Sequence, residues 1–164
     1  MTFCLRRREF IAGLGGAAAT WPLAVHAQQG GRVRRIGVLM GYDENHPEGK
    51  LRYSAFTQAL ADLGWSNGRN VRIELRWGGG DINRVRALAR ELVGLQPDII
   101  LANTTAATVA VQRETRTIPI VFADTSDPVA SGIVPRLNQP GGNITGFAFY
   151  EPTLNGRSDW HDLE

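Results

Sequence analysis

The strongest constraint in this sequence is an alternation of two kinds of segment. Five short apolar runs, bounded by turn-forming residues, are separated by stretches with helical spacing. The first lies within Val33 to Met40 and has Ile36-Gly37-Val38-Leu39-Met40 as its centre. The others span Val71 to Trp77, Asp98 to Ala102, Ile118 to Ala123 and Ile144 to Phe149. Runs this short and this continuously apolar suit strands covered on both faces. After a polar loop from Gly41 to Lys50, Tyr53, Phe56, Leu60 and Leu63 recur at three- and four-residue intervals, giving a helix one apolar face. Gly64 then falls where a helix end wants positive φ. Asp81 is a good N-cap for a second helix, whose Val85, Leu88, Ala89, Leu92 and Val93 share a side. A third helix is expected from about Thr105 to Glu114, and Asp127-Pro128 should open a short fourth as cap and first-turn proline. Strands alternating with helices join through right-handed crossovers, which lay the strands parallel and put helices on both faces. The expected fold is α/β, a doubly wound, mostly parallel five-stranded sheet of flavodoxin-like order.

The first residues read differently. Arg6, Arg7 and Arg8 precede a small, weakly apolar run from Ala12 to Ala24, and Val25-His26-Ala27 presents small residues at the two positions a signal peptidase reads. That run is shorter than the roughly 20 residues of a membrane span. Arg7-Arg8-Glu9-Phe10-Ile11 resembles a twin-arginine export motif. Residues 1–27 are therefore expected to be a leader cut after Ala27, residues 28–150 an α/β lobe, and residues 151–164 an irregular tail. Removing the leader leaves basic and acidic side chains equal in number, with no Lys/Arg run to mark a nucleic-acid partner. It also removes Cys4, the only cysteine, which suits an oxidising compartment and excludes thiolate chemistry.

In a doubly wound sheet, ligands bind beyond the carboxyl ends of the strands. Four segments qualify: Gly41-Tyr42-Asp43-Glu44, Gly78-Gly79-Gly80, Asn103-Thr104-Thr105 and Asp124-Thr125-Ser126. The third offers an amide, two hydroxyls and the start of a helix, a cradle for a carboxylate. Capping alone is the plainer role for either Thr, and the two roles can coexist. Gly78-Gly79-Gly80 lacks the spacing of a dinucleotide fingerprint and the lysine of a phosphate loop. His46 and His161 are isolated, so no metal-ligand spacing exists, and no cofactor is expected.

Several segments match a known pattern in order and spacing. They are Arg35-Ile36-Gly37-Val38-Leu39, then Phe56 to Trp65 with Gly68-Arg69-Asn70-Val71, then Pro97 to Ala102. Ile118-Pro119-Ile120-Val121-Phe122 with Asp127-Pro128-Val129, and Pro140 to Gly146, complete the series. Together they resemble the ABC transporter substrate-binding proteins of the tryptophan or tyrosine type, built on the type 1 periplasmic binding fold, over its N-terminal lobe. The resemblance implies periplasmic capture of a small solute, an amino acid among the options, between two lobes that close on a hinge. It implies no catalysis, and delivery to an ABC permease in the inner membrane. Carried over by position, the ligand contacts are Tyr42, Asn103, Thr104, Thr105, Asp124, Thr125 and Ser126. Such proteins are usually longer, with a second α/β lobe. The residues after Leu154 do not resemble the family's continuation, so a truncated or frameshifted second lobe is expected. A ligand-sensing lobe for a membrane partner and an exported hydrolase-like enzyme stay open as alternatives. The second lacks a Gly-x-Ser-x-Gly elbow and any His/acid pair.

Overall fold

The computed structural model describes residues 32–149. The expected leader and the expected tail lie outside them. Strand β1 (Arg34–Met40), helix α1 (Pro47–Asp62), β2 (Val71–Trp77), α2 (Ile82–Gly94), β3 (Ile99–Asn103), α3 (Thr105–Glu114), β4 (Ile120–Thr125) and β5 (Ile144–Ala148) follow in chain order. They form one five-stranded sheet of order β2-β1-β3-β4-β5, parallel throughout. This is the doubly wound, flavodoxin-like order the alternation predicts. The chain steps outward from β1 to β2, then returns past β1 to β3, so the switch point lies between β1 and β3.

The best-packed side of the sheet lies under α2 and α3. Leu39, Ile100 and Phe122 from three neighbouring strands meet Val85, Ala89 and Leu92 of α2 and Ala107 and Val111 of α3, all buried. α2 starts where the sequence signals it: the Asp81 side chain accepts from the N–H groups of Asn83 and Arg84. On the opposite side α1 is held more lightly, and its only buried residue is Gly49. A Cβ there would press on both Trp77 and Tyr42, so the missing side chain lets the helix approach. Tyr53 meets Trp77 edge to face, ring centroids 6.2 Å apart.

Four expectations need correction. α1 begins at Pro47, inside the stretch read as loop, because proline at the first helical position is already set to helical φ and Glu48 favours the first turn. Leu63 lies just past the last helical residue and is exposed, so the apolar face of α1 ends at Leu60. β3 and β4 run one and two residues further than expected, which draws Asn103, Asp124 and Thr125 into strand ends. The fourth helix is a single turn. Ala130 N–H donates to Asp127 Oδ1 at 2.9 Å and Ser131 N–H to the Asp127 carbonyl at 3.0 Å, but Gly132, at φ 67°, stops propagation. The cap signal is real, but the turn ends at Gly132, and Ile133 and Val134 enter the core from outside any helix.

Candidate functional site

Three loops at the carboxyl edge of the sheet are stitched into one surface. Gly41 N–H donates to the Asn103 carbonyl at 3.1 Å, and Thr104 N–H to the Ala123 carbonyl at 3.1 Å. Ser126 N–H donates to Thr105 Oγ1 at 3.2 Å. The triple glycine closes the fourth side: Gly79 N–H reaches the Tyr42 carbonyl and Gly80 N–H the Gly41 carbonyl, each at 2.9 Å. A Cβ on Gly78 would collide with Val85, so this loop is glycine for closeness of approach, consistent with its lack of a nucleotide fingerprint.

Strain concentrates on this edge. Thr104 has φ 88°, Asp124 φ 55° and Asp127 φ 37°. A β-branched residue in that region is a genuine outlier, held only because its surroundings over-determine it. Thr104 is fixed as the N-cap of α3, accepting from Ala107 N–H at 3.4 Å, and its carbonyl accepts from Thr108 Oγ1 at 2.8 Å. Its side chain rests against Gly41, where any Cβ would strike it.

Beside this helix start lies a charged cluster. Tyr42 Oη donates to Asp124 Oδ2 at 2.7 Å, and Arg52 Nη1 lies 2.9 Å from Asp124 Oδ1. Burial, then the hydrogen bond and charge of Asp124, raise the Tyr42 phenol above its ordinary value and keep it a donor. Burial works most strongly against the Arg52 charge, but the Asp124 carboxylate, the Glu48 hydrogen bond and charge, and Tyr42 together outweigh it and hold the guanidinium above its ordinary value. His46 stacks on Tyr42 at 4.7 Å between ring centroids.

The structure thus brings Tyr42, Asn103, Thr104, Thr105, Asp124 and Ser126 onto one edge, with differing exposure. Asn103 is buried and its Oδ1 has no hydrogen-bond partner among the described residues. Thr125 is fully buried, with its Oγ1 3.3 Å from Thr108 Oγ1, so its hydroxyl faces the packed interior. Sequence reasoning missed Arg52 and His46. Arg52 sits mid-helix with an i−4 glutamate, Glu48, which reads as an ordinary solvent pair. No sequence signal places it opposite a residue 72 positions later. Among the described residues no cluster of three or more His, Cys, Asp or Glu could hold a metal ion, and no helix is long and apolar enough to cross a membrane.

Comparison with known proteins agrees with this fold. The family model described as "ABC transporter substrate binding protein" matches residues 42–154. A tyrosine-binding protein of Clostridioides difficile is 32% identical over 105 residues, 64% of this chain and 30% of its own length. The structure of an ABC domain from Streptococcus pneumonia in complex with L-Trp superposes with a TM-score of 0.66 at 29% identity, covering 71% of this chain and 39% of that one. A conserved domain protein of Vibrio cholerae gives 0.70 at 29% identity, over 74% and 40%. This chain therefore spans about a third of the length of the tyrosine-binding protein and two-fifths of the solved structures. The match runs through the loops that form the edge just described, and the chain belongs to the ABC transporter substrate-binding protein family.

Proposed function

We propose that this chain is a lobe of an exported solute-binding protein that captures an aromatic amino acid for an ABC importer, without chemical change to the solute. The observation that carries the reading is the pairing of opposite electrical ends on one edge. The start of α3, with the positive end of its dipole and the Thr104 and Thr105 hydroxyls, favours a carboxylate. Asp124, one strand away, favours an ammonium and is held in place by Tyr42 and Arg52. A zwitterionic head group is complementary to both. Tyr42, Asn103, Thr104, Thr105, Asp124 and Ser126 would face the solute, with Thr125 supporting them from behind. The two ligands named for similar proteins, tyrosine and L-Trp, support an aromatic side chain. The twin-arginine-type leader, cleaved after Ala27, supports a periplasmic location, and the family supports a permease of the inner membrane as the partner.

Thermal unfolding of the purified chain in the presence of single amino acids tests this reading. A solute that binds only the folded state raises the midpoint by mass action. Tyr or Trp at millimolar concentration should raise it, whereas Lys and Glu should not. An unchanged midpoint with every amino acid would end the proposal.

A further inference from the structure

Asp124 is the group proposed above to meet the solute's ammonium, yet both of its oxygens are already engaged. Oδ2 accepts from Tyr42 Oη at 2.7 Å, and Oδ1 lies 2.9 Å from Arg52 Nη1. The Asp124 side chain is 11% exposed and that of Arg52 36%, so the arginine forms the solvent side of the pair. An ammonium approaching Asp124 therefore meets a cation first, and like charges repel strongly in a partly buried site. Of the two partners the arginine is the one able to move. Asp124 is fixed by the Tyr42 bond and by its own backbone, at φ 55° near the end of β4. Arg52 ends a long stem on α1, with Glu48 Oε2 3.3 Å from its Nη2. A second acceptor stands beside it. Asn103 pairs in register with Ala123, the residue before Asp124, and lines the same hollow as Arg52. It is 4% exposed, and its Oδ1 has no hydrogen-bond partner among the described residues. A buried acceptor left unmade disfavours the fold and calls for an explanation.

We propose that Arg52 is a built-in competitor for the solute's ammonium: it holds Asp124 before capture and passes to the Asn103 amide oxygen when the ammonium arrives. The proposal rests on the amino-acid reading above and concerns how that site is regulated. One cation replaces another at the carboxylate, so Asp124 is never buried without a partner, which would be the costly state. The guanidinium carries five N–H donors and no acceptor, and the amide oxygen is an acceptor without a donor, so the two are complementary. While Arg52 shifts, its bond to Glu48 keeps it over the same stretch of α1. The device has two consequences for binding. Displacing the arginine offsets part of the attraction between ammonium and carboxylate, so Arg52 weakens capture of any solute that needs Asp124. Asn103 acts in the opposite sense, because it stabilises the displaced arginine. Both effects vanish for a solute with no ammonium, which gains nothing by displacing Arg52.

The test is isothermal titration of the purified full chain with L-Trp and with indole-3-propionate, which keeps the ring and the carboxylate and lacks the ammonium. Arg52→Gln should tighten L-Trp by about tenfold, the worth of one hydrogen bond to a charged group, and leave indole-3-propionate unchanged. Glutamine is a good helix former, so α1 tolerates it. Arg52→Lys gives a second variant with the charge kept; its point charge lacks the planar fork, so it should tighten L-Trp to a smaller extent. Asn103→Leu should weaken L-Trp in the unaltered chain and have no effect beside Arg52→Gln, where no arginine needs a new partner. Weaker L-Trp binding by both Arg52 variants would show that the arginine only holds Asp124 in place, and would overturn the proposal while leaving the amino-acid reading standing. Equal tightening of indole-3-propionate would overturn it likewise, as would an Asn103→Leu effect of the same size in both backgrounds. Binding of L-Trp by none of these chains would overturn both the proposal and the reading beneath it.

Discussion

Tyr42 and Asp124 show how one hydrogen bond can set both a local structure and its response to pH. The phenol donates to a carboxylate that already faces Arg52, so its ionisation would place two negative charges 2.7 Å apart. Its proton is therefore held more tightly in the folded chain than in the unfolded one. Linkage then gives the sign: stability from this group is fully present below the unfolded phenol's value of about 10 and is lost as pH rises through the higher folded value. Tyr42→Phe should flatten the fall in urea midpoint above pH 10 and leave the neutral-pH slope unchanged. A variant whose alkaline limb matches the parent's would show that the bond is not formed in solution. The raised Tyr53 phenol, shifted by burial alone, contributes its own alkaline loss, which the variant retains. At this scale the sequence says least. Tyr42 and Asp124 stand out as candidates because each follows a strand, but Arg52 reaches them from the middle of a helix, a contact that only the folded crossover creates.

At the scale of elements the site depends on a strand, a cap and a glycine fitting together. β1 ends at Met40, and Gly41 then passes directly against Thr104, the strained cap of α3. A methyl group on Gly41 has nowhere to go, since Thr104 is fixed by the start of its own helix and by its N–H bond to Ala123. Gly41→Ala should cost about 1–3 kcal/mol, the usual penalty for overpacking. Under the proposed reading it should weaken solute binding by more than the lost stability explains, because it moves the helix start proposed to meet the solute's carboxylate. Urea unfolding and titration on the same preparation separate the two. Unchanged affinity in a destabilised variant would remove α3 from the site. Elements were the most legible level in the sequence. The apolar runs at Val71 to Trp77 and Ile144 onward fall on observed strands, and Asp81 caps the helix it was expected to cap. The failure at Asp127-Pro128 is equally physical: cap and proline start a turn, but Gly132 at positive φ ends it, and Ile133 and Val134 reach the core from beyond that break. The strand-end shift at Asn103 arises because parallel pairing continues past the last apolar residue, with Met40 opposite Asn103, and β4 runs on through Asp124 because Thr125 pairs with Ala148 after a register shift beyond Phe122.

At the scale of the sheet, the two faces differ in how firmly they are covered. α2 and α3 bury seven residues between them, from Val85 to Val111, whereas α1 buries Gly49 alone and touches the sheet through Trp77, Tyr42 and the pair with Asp124. Local opening is easiest where few apolar groups are buried. Amide hydrogen exchange should therefore find β1, β3 and β4 most protected, α2 and α3 close behind, and α1 exchanging first. Under the proposed reading this ordering bears on capture, because the least firmly held helix supplies Arg52 to the charged cluster, and its Tyr53 and Phe56 line the open apolar hollow over Leu101 and Val121 of the sheet. A solute held at Asp124 would lie beside Arg52 of α1 as well as the strand end, so binding should slow exchange in α1 more than in α2. Protection of α1 equal to that of α2 without solute would mean that α1 is anchored by more than these contacts. A solute that protects α2 and leaves α1 unchanged would place the binding surface elsewhere on the edge.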